Sequence, residues 1–274
     1  MFYCGKFQLD LSRPLVMGIV NVTPDSFSDG GKYLLRDAAL AYAHHLIQEG
    51  ADMLDIGGES TRPGAQMVSV QQELDRVLPV IEALRDVSLP LSVDTQKPEV
   101  MRAGLTAGAS MINDINALQD AEALTAVAES NAAVCLMHMQ GNPQTMQQQP
   151  QYQDVVAEVL QILRTRLDAC LAAGIVRERI AIDPGFGFGK TLGHNLTLLQ
   201  RLDAFSVLGV PLLVGLSRKS MLGAITGRDA GQRDYASVAA ALLAVQRGAN
   251  IVRVHDVGAT VDALKVWNAV NGMN

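Results

Sequence analysis

Short apolar runs alternate with amphipathic stretches along the chain, and this alternation sets the expected architecture. Residues 16–22, 53–57, 91–94, 111–115, 133–138, 180–183, 211–216 and 251–255 are rich in β-branched and long aliphatic side chains and read as strands. Apolar residues recur at helical spacing over 33–49, 70–86, 98–107, 121–129, 152–173, 195–205, 235–246 and 260–270. Near-continuous apolar strands are those buried on both faces, as in a parallel sheet covered by helices. Eight strand–helix units favour a closed (β/α)8 TIM barrel, an α/β fold, over an open doubly wound sheet. Residues 2–11 precede the first unit and read as a short N-terminal hairpin. No linker or second compositional regime interrupts residues 1–274, so one domain is expected, and 144–153 (QTMQQQPQYQ) reads as an exposed loop.

The ends of the strands carry the chemistry. Almost every apolar run stops on a hydrogen-bonding side chain: Asn21, Asp55, Asp94, Asn113 with Asp114, His138, Asp183, Ser217 to Lys219, and Arg253 with His255. One polar strand end is an ordinary helix cap; eight on the shared face of a barrel make an active-site mouth.

The formal charge of −6 and the pI near 5.3 argue against a general nucleic-acid or membrane-surface binder. Local basic residues are then reserved for a small anion. No apolar run approaches the roughly 18 residues of a membrane span. The opening MFYCGKFQLDLSRP lacks the pattern of a secretory signal, so a cytoplasmic protein is expected. Cys4, Cys135 and Cys170 have neither metal nor redox spacing and read as reduced thiols.

Two early loops, 22–31 and 57–65, have the composition of segments that close over a ligand. The first holds Phe27, an aromatic suited to a flat substrate; the second holds Arg62 beside Ser60 and Thr61, a set suited to phosphate. The stretch IAIDPGFGFGKT invites a phosphate-loop reading, but only three residues separate Gly185 from Gly189, Lys190 and Thr191, and the signature needs four. What remains is Asp183 followed by a glycine-rich turn that lets backbone and Phe188 approach a planar ligand. Asp94, Asn113 and Asp183, with Lys219 opposite, would read a heterocycle bearing N–H donors on one edge and a carbonyl on the other. The same carboxylates also suit a metal site or a general acid and base, and spacing leaves these open. Cys135, Met137 and Met139 read first as core; if functional, Met137 suits a polarizable floor beneath a ring. His44, His45 and His194 read as solvated, and His138 as capping or lining the mouth. Arg253 and His255 share a strand face and can meet one anion. The stretch 211–220, PLLVGLSRKS, reads at first as a further anion grip.

Taken in order, NVTPDSFSDGG, DIGGESTRPGA, SVDT, IND, CLMHMQG, DPGFGFGK, GLSRKS and RVHD resemble the dihydropteroate synthase family over nearly the whole chain. The resemblance implies a barrel enzyme of folate synthesis that joins p-aminobenzoate to (7,8-dihydropterin-6-yl)methyl diphosphate, with Mg2+. It implies magnesium on Asn21, and diphosphate on Thr61, Arg62, Arg253 and His255. The pterin falls to Asp94, Asn113, Asp183 and Lys219, and the aminobenzoate lies near Phe27, Pro63, Phe188 and Ser220. Lys219 thereby leaves the anion grip for the pterin carbonyl. The resemblance also implies a homodimer through late helices, where Leu242, Leu243 and Trp267 are candidates for contact or equally for barrel core. Sulfonamides are expected to compete with aminobenzoate. The alternatives are a pterin-binding methyltransferase-like barrel, which leaves Arg62, Arg253 and His255 unexplained, and an inactive pterin-binding homologue.

Overall fold

The computed structural model describes residues 1–23, 32–61 and 64–272. A hairpin of β1 (Phe2–Cys4) and β2 (Phe7–Leu9) precedes eight parallel strands: β3 (Leu15–Asn21), β4 (Met53–Gly57), β5 (Leu91–Asp94), β6 (Met111–Asp114), β7 (Ala133–Met137), β8 (Ile180–Asp183), β9 (Leu213–Val214) and β10 (Ile251–Val254). The sheet runs β8-β7-β6-β5-β4-β3-β10-β9. A parallel bridge between Ile182 and Leu212, with Ile182 N–H donating to the Pro211 carbonyl at 2.9 Å, joins its two edges into a barrel. Closure removes the open edges that an eight-stranded sheet would otherwise expose.

The period of two along each strand divides the core. Leu54, Ile56, Val93, Ile112 and Val252 point outward to the helices, whereas Met17, Met53, Met111, Ala181 and Ile251 fill the barrel. Phe2 and Cys4 of the hairpin pack into that inner cluster and plug the end of the barrel opposite the mouth. Above the apolar layer the inward positions turn polar, with Asp55, Ser92, Asp94, Asn113, Asp183 and Arg253.

The helices are α1 (Lys32–Gln48), α2 (Val70–Leu84), α3 (Pro98–Ala107), α4 (Ala121–Ala128), α5 (Val155–Ala172), α6 (Leu192–Gln200), α7 (Ser220–Thr226), α8 (Asp234–Val245) and α9 (Val257–Asn271). Capping residues explain the shifted starts. Asp154 accepts from Val156 N and Ala157 N, so α5 begins after the expected Tyr152. Thr191 and His194 form a capping box that starts α6 before the expected Asn195. The expected sixth helix breaks after Gln200 and continues as a 3-10 segment, Leu202–Leu208. Strand β9 is shorter than the expected 211–216, and it starts late because Pro211 has no N–H and Leu212 N donates to Asn250 Oδ1. Helix α7 is an addition to the eight expected helices.

Candidate active site

The strand ends named from sequence meet at one mouth. Register pairs Asp94 with Asn113 and Met137 with Asp183 across neighbouring strands, so two carboxylates, an amide and a thioether line one wall. Lys219 precedes α7 and reaches across to the turn after β8: its Nζ donates to the Phe186 carbonyl and stands 4.6 Å from the centre of the Phe188 ring. A pocket with a polar edge, a cationic edge and apolar faces is one that holds a flat heterocycle.

Arg253 is held by two carboxylates. Its Nε donates to Asp55 Oδ2 at 2.5 Å and its Nη2 to Asp94 Oδ2 at 2.6 Å. Asn113 Nδ2 donates to the same Asp55 oxygen at 3.0 Å. His255 Nδ1 lies 3.0 Å from Ser217 Oγ, which also accepts from His255 N–H. Arg218, one residue along, is turned away in a bidentate pair with Asp256 at 2.5 and 3.1 Å. Of the two SRKS cations, only Lys219 therefore serves the mouth.

Electrostatics follow from burial. Burial pushes Asp94 upward against the pull of Arg253, and the Asp55 charge adds to the rise. Asp183 is raised by burial too, with Lys219 opposing. Burial lowers Lys219 to about 8, with Asp183 opposing and Arg253 assisting.

At the rim, Gly57 leaves room for two oxygens. A Cβ at Gly57 would lie 3.7 Å from Asp94 Oδ2 and 3.9 Å from Asn21 Oδ1, so both oxygens lie near one point. Among the described residues no group of three or more His, Cys, Asp or Glu is arranged to hold a metal ion.

The family described as pterin binding enzyme matches residues 17–255. A dihydropteroate synthase of Neisseria meningitidis serogroup C is 52% identical over 279 residues, covering 100% of this chain and 98% of that protein. The chain belongs to the dihydropteroate synthase family. Solved dihydropteroate synthases superpose closely. That of Xanthomonas albilineans with 4-aminobenzoic acid is 58% identical with a TM-score of 0.92, covering 97% of this chain and 96% of that one. That of Burkholderia cenocepacia with 7,8-dihydropteroate is 52% identical with a TM-score of 0.90, covering 99% and 96%.

Against this dihydropteroate synthase fold, the expected positions divide. Asp94, Asn113, Met137, Asp183, Phe188, Lys219, Arg253 and His255 come together at the mouth, with Asn21 at the rim. Thr61 is half-buried in the loop after β4, and Ser220 is exposed at the start of α7. Phe27, Arg62 and Pro63 lie outside the described residues. His138 does not line the mouth: it is buried, with Nδ1 2.9 Å from Lys190 Nζ, and burial and that lysine lower it to about 3. Asp114 faces outward, where it accepts from Asn116 N and Leu118 N.

Two groups escaped the sequence reading. Lys190, buried, donates to the Gly185 and Phe188 carbonyls at 2.9 Å as well as approaching His138, and so shapes the turn beneath Lys219. The turn also presses Gly185 and Gly189 against the carbonyls of His138 and Gln140, where a Cβ would stand 1.9 and 2.5 Å away; both have positive φ, and only glycine fits. Lys97 bridges Glu59 and the fully buried Glu73, while Glu59 Oε1 also accepts from Val68 N at 3.0 Å. This fastens both roots of the loop that contains Thr61. An acidic residue on the apolar face of α2, in step with Val77, Val80 and Ile81, was the signal that a buried cation partners it.

Proposed function

We propose that this mouth joins p-aminobenzoate to (7,8-dihydropterin-6-yl)methyl diphosphate, giving 7,8-dihydropteroate and diphosphate, by a dissociative displacement. The observation that carries the reading is the convergence of Asp94, Asn113, Asp183 and Lys219 beside Arg253 and His255 in a chain of this family. Two carboxylates and an amide oxygen accept from the pterin N–H edge, and Lys219 donates to its carbonyl. Met137 and Phe188 take the ring faces.

Departure of diphosphate leaves positive charge on the pterin methylene and gathers negative charge on the leaving oxygens. Asp94 and Asp183 favour the first; Arg253 and His255, with Thr61 and Arg62 from the adjoining loop, favour the second. Donors preorganised at a developing charge each lower the barrier by about 3 kcal/mol. The arylamine then attacks the cation and gives up a proton to solvent, its carboxylate near Ser220 and its ring toward Phe188.

The rim suits magnesium that arrives with the diphosphate. Asn21 would hold it, one neutral oxygen being a weak ligand alone, with substrate oxygens and water as its other ligands. Bound there, it neutralises charge on the leaving oxygens.

The deciding assay is diphosphate release that requires p-aminobenzoate and magnesium together and is suppressed competitively by a sulfonamide. Pterin binding without release would favour an inactive homologue. Ser220→Phe is expected to raise KM for p-aminobenzoate roughly tenfold or more, about 1.4 kcal/mol, and that for the pterin substrate far less. Equal rises for both would remove Ser220 from the aminobenzoate site.

We also read the protein as a cytoplasmic homodimer. Three buried, unpaired cysteines support a reducing compartment, and among the described residues no helix is long and apolar enough to cross a membrane. Leu242 and Trp267 pack against the core, but Leu243 of α8 and Val266 and Val270 of α9 are exposed and suit a partner copy. A sedimenting monomer at assay concentration would exclude the dimer.

A further inference from the structure

Asp55 lies beneath the pocket, fully buried on the inner face of β4. Its Oδ2 accepts from both Arg253 Nε and Asn113 Nδ2, while Oδ1 has no hydrogen-bond partner among the described residues. Inner neighbours in the layer below, Met17, Met53 and Met111, are apolar and fully buried. A half-satisfied carboxylate is a costly occupant for a place that an apolar side chain would fill, so its presence asks for a reason beyond packing.

That reason is visible in what the carboxylate forces on its neighbours. A carboxylate only accepts, so Asn113 must turn Nδ2 toward it, and the amide oxygen is the atom left for the mouth. Arg253 is gripped at Nε by Asp55 and at Nη2 by Asp94, which fixes the plane of the guanidinium and leaves Nη1 as the nitrogen neither carboxylate takes. We propose that Asp55 is a positioning residue that sets Asn113 as a hydrogen-bond acceptor and fixes the plane of Arg253, so that the pterin edge is read in one orientation. The inference rests on the assignment of the pterin to Asp94, Asn113, Asp183 and Lys219.

Exchanging donor and acceptor tests it. Wild type, D55N, N113D and the double variant D55N/N113D are titrated calorimetrically with a pterin lacking diphosphate, and KM is measured for both substrates. In N113D two carboxylates face each other, and pterin affinity is expected to fall roughly 10- to 100-fold while KM for p-aminobenzoate stays within about twofold. In the double variant the amide introduced at position 55 donates to the carboxylate introduced at position 113, whose other oxygen faces the mouth, and total charge is conserved. It is expected to bind pterin at least about tenfold tighter than N113D, a non-additive rescue that a merely structural role would not produce. A double variant no better than the combined losses of the singles overturns the proposal. If a single variant fails to fold, the double decides: folded and within about tenfold of wild-type affinity it supports the exchange. Folded without binding, or unfolded, it overturns it. Wild type that binds no pterin would overturn the pterin assignment itself, whereas wild-type binding with an unaffected N113D removes only the role of Asp55.

Discussion

Arg253→Met is expected to abolish most activity and to destabilise the protein in a manner that depends on pH. Two effects coincide because one guanidinium serves two purposes. Facing the leaving group it is a donor to developing charge, and its removal is expected to lower kcat/KM for the pterin diphosphate at least about a hundredfold. Facing inward it neutralises Asp55 and Asp94, which it bonds at 2.5 and 2.6 Å. Taking one partner from a buried ion pair leaves uncompensated charge and costs roughly 3–5 kcal/mol.

The sign of the pH dependence follows from Asp94. Its folded-state value is already above the ordinary 3.8, raised by burial and restrained by Arg253, so the variant raises it further. From about pH 4 upward the folded variant then binds more protons than the unfolded chain, and stability falls as pH rises through that window. Thermal unfolding at pH 5 and pH 8 checks this. The loss relative to wild type should grow between these values, reaching roughly 5–10 °C at pH 8. An equal loss at both values would show that the carboxylates are not its source.

This arrangement also shows what a linear chain reveals. Strands buried on both faces must be apolar, so they stood out, and their polar termini marked the mouth. Asp94, Asn113, Asp183 and Arg253 were legible because each stands at or beside the end of a run and meets its neighbours through barrel register, and Lys219 because it follows the seventh run just ahead of α7. Asp55 was legible as one of these polar positions, but the spacing to Asn113 and Arg253, 58 and 198 positions along, conveys nothing of the bonds it makes. Lys190 was hidden differently. Rejecting the phosphate-loop spacing was correct, yet a lysine closing a glycine-rich turn still needed a partner, and it found backbone carbonyls instead of phosphate. Helix α7 has seven residues and little periodicity to display. Arg233 donates to the Arg218 carbonyl just ahead of it at 3.0 Å, a tertiary contact invisible in local pattern.

Lys219 supplies the second large effect, and it separates activity from stability. Burial holds this ammonium near 8 in the free protein, well below the ordinary 10.5. As the donor to the pterin carbonyl it must be charged to act fully, so kcat/KM for the pterin diphosphate is expected to fall about tenfold per pH unit above 8. Lys219→Met, lacking the donor at every pH, should lose roughly a hundredfold even at pH 7. Lys219→Arg keeps the charge well past pH 10, and although its larger head lowers the rate, its alkaline limb should disappear. A limb that persists in the arginine variant would belong to the substrate or another group. Stability moves the opposite way over the same range. Between about 8 and 10.5 the unfolded chain still holds the proton that the folded chain has released, so the folded state gains stability as pH rises. Lys190, lowered by burial to about 7, adds a gain that begins earlier and survives in both Lys219 variants. Activity lost on the alkaline side while the fold becomes more stable therefore excludes unfolding as the cause of the limb, and its disappearance in Lys219→Arg assigns it to Lys219.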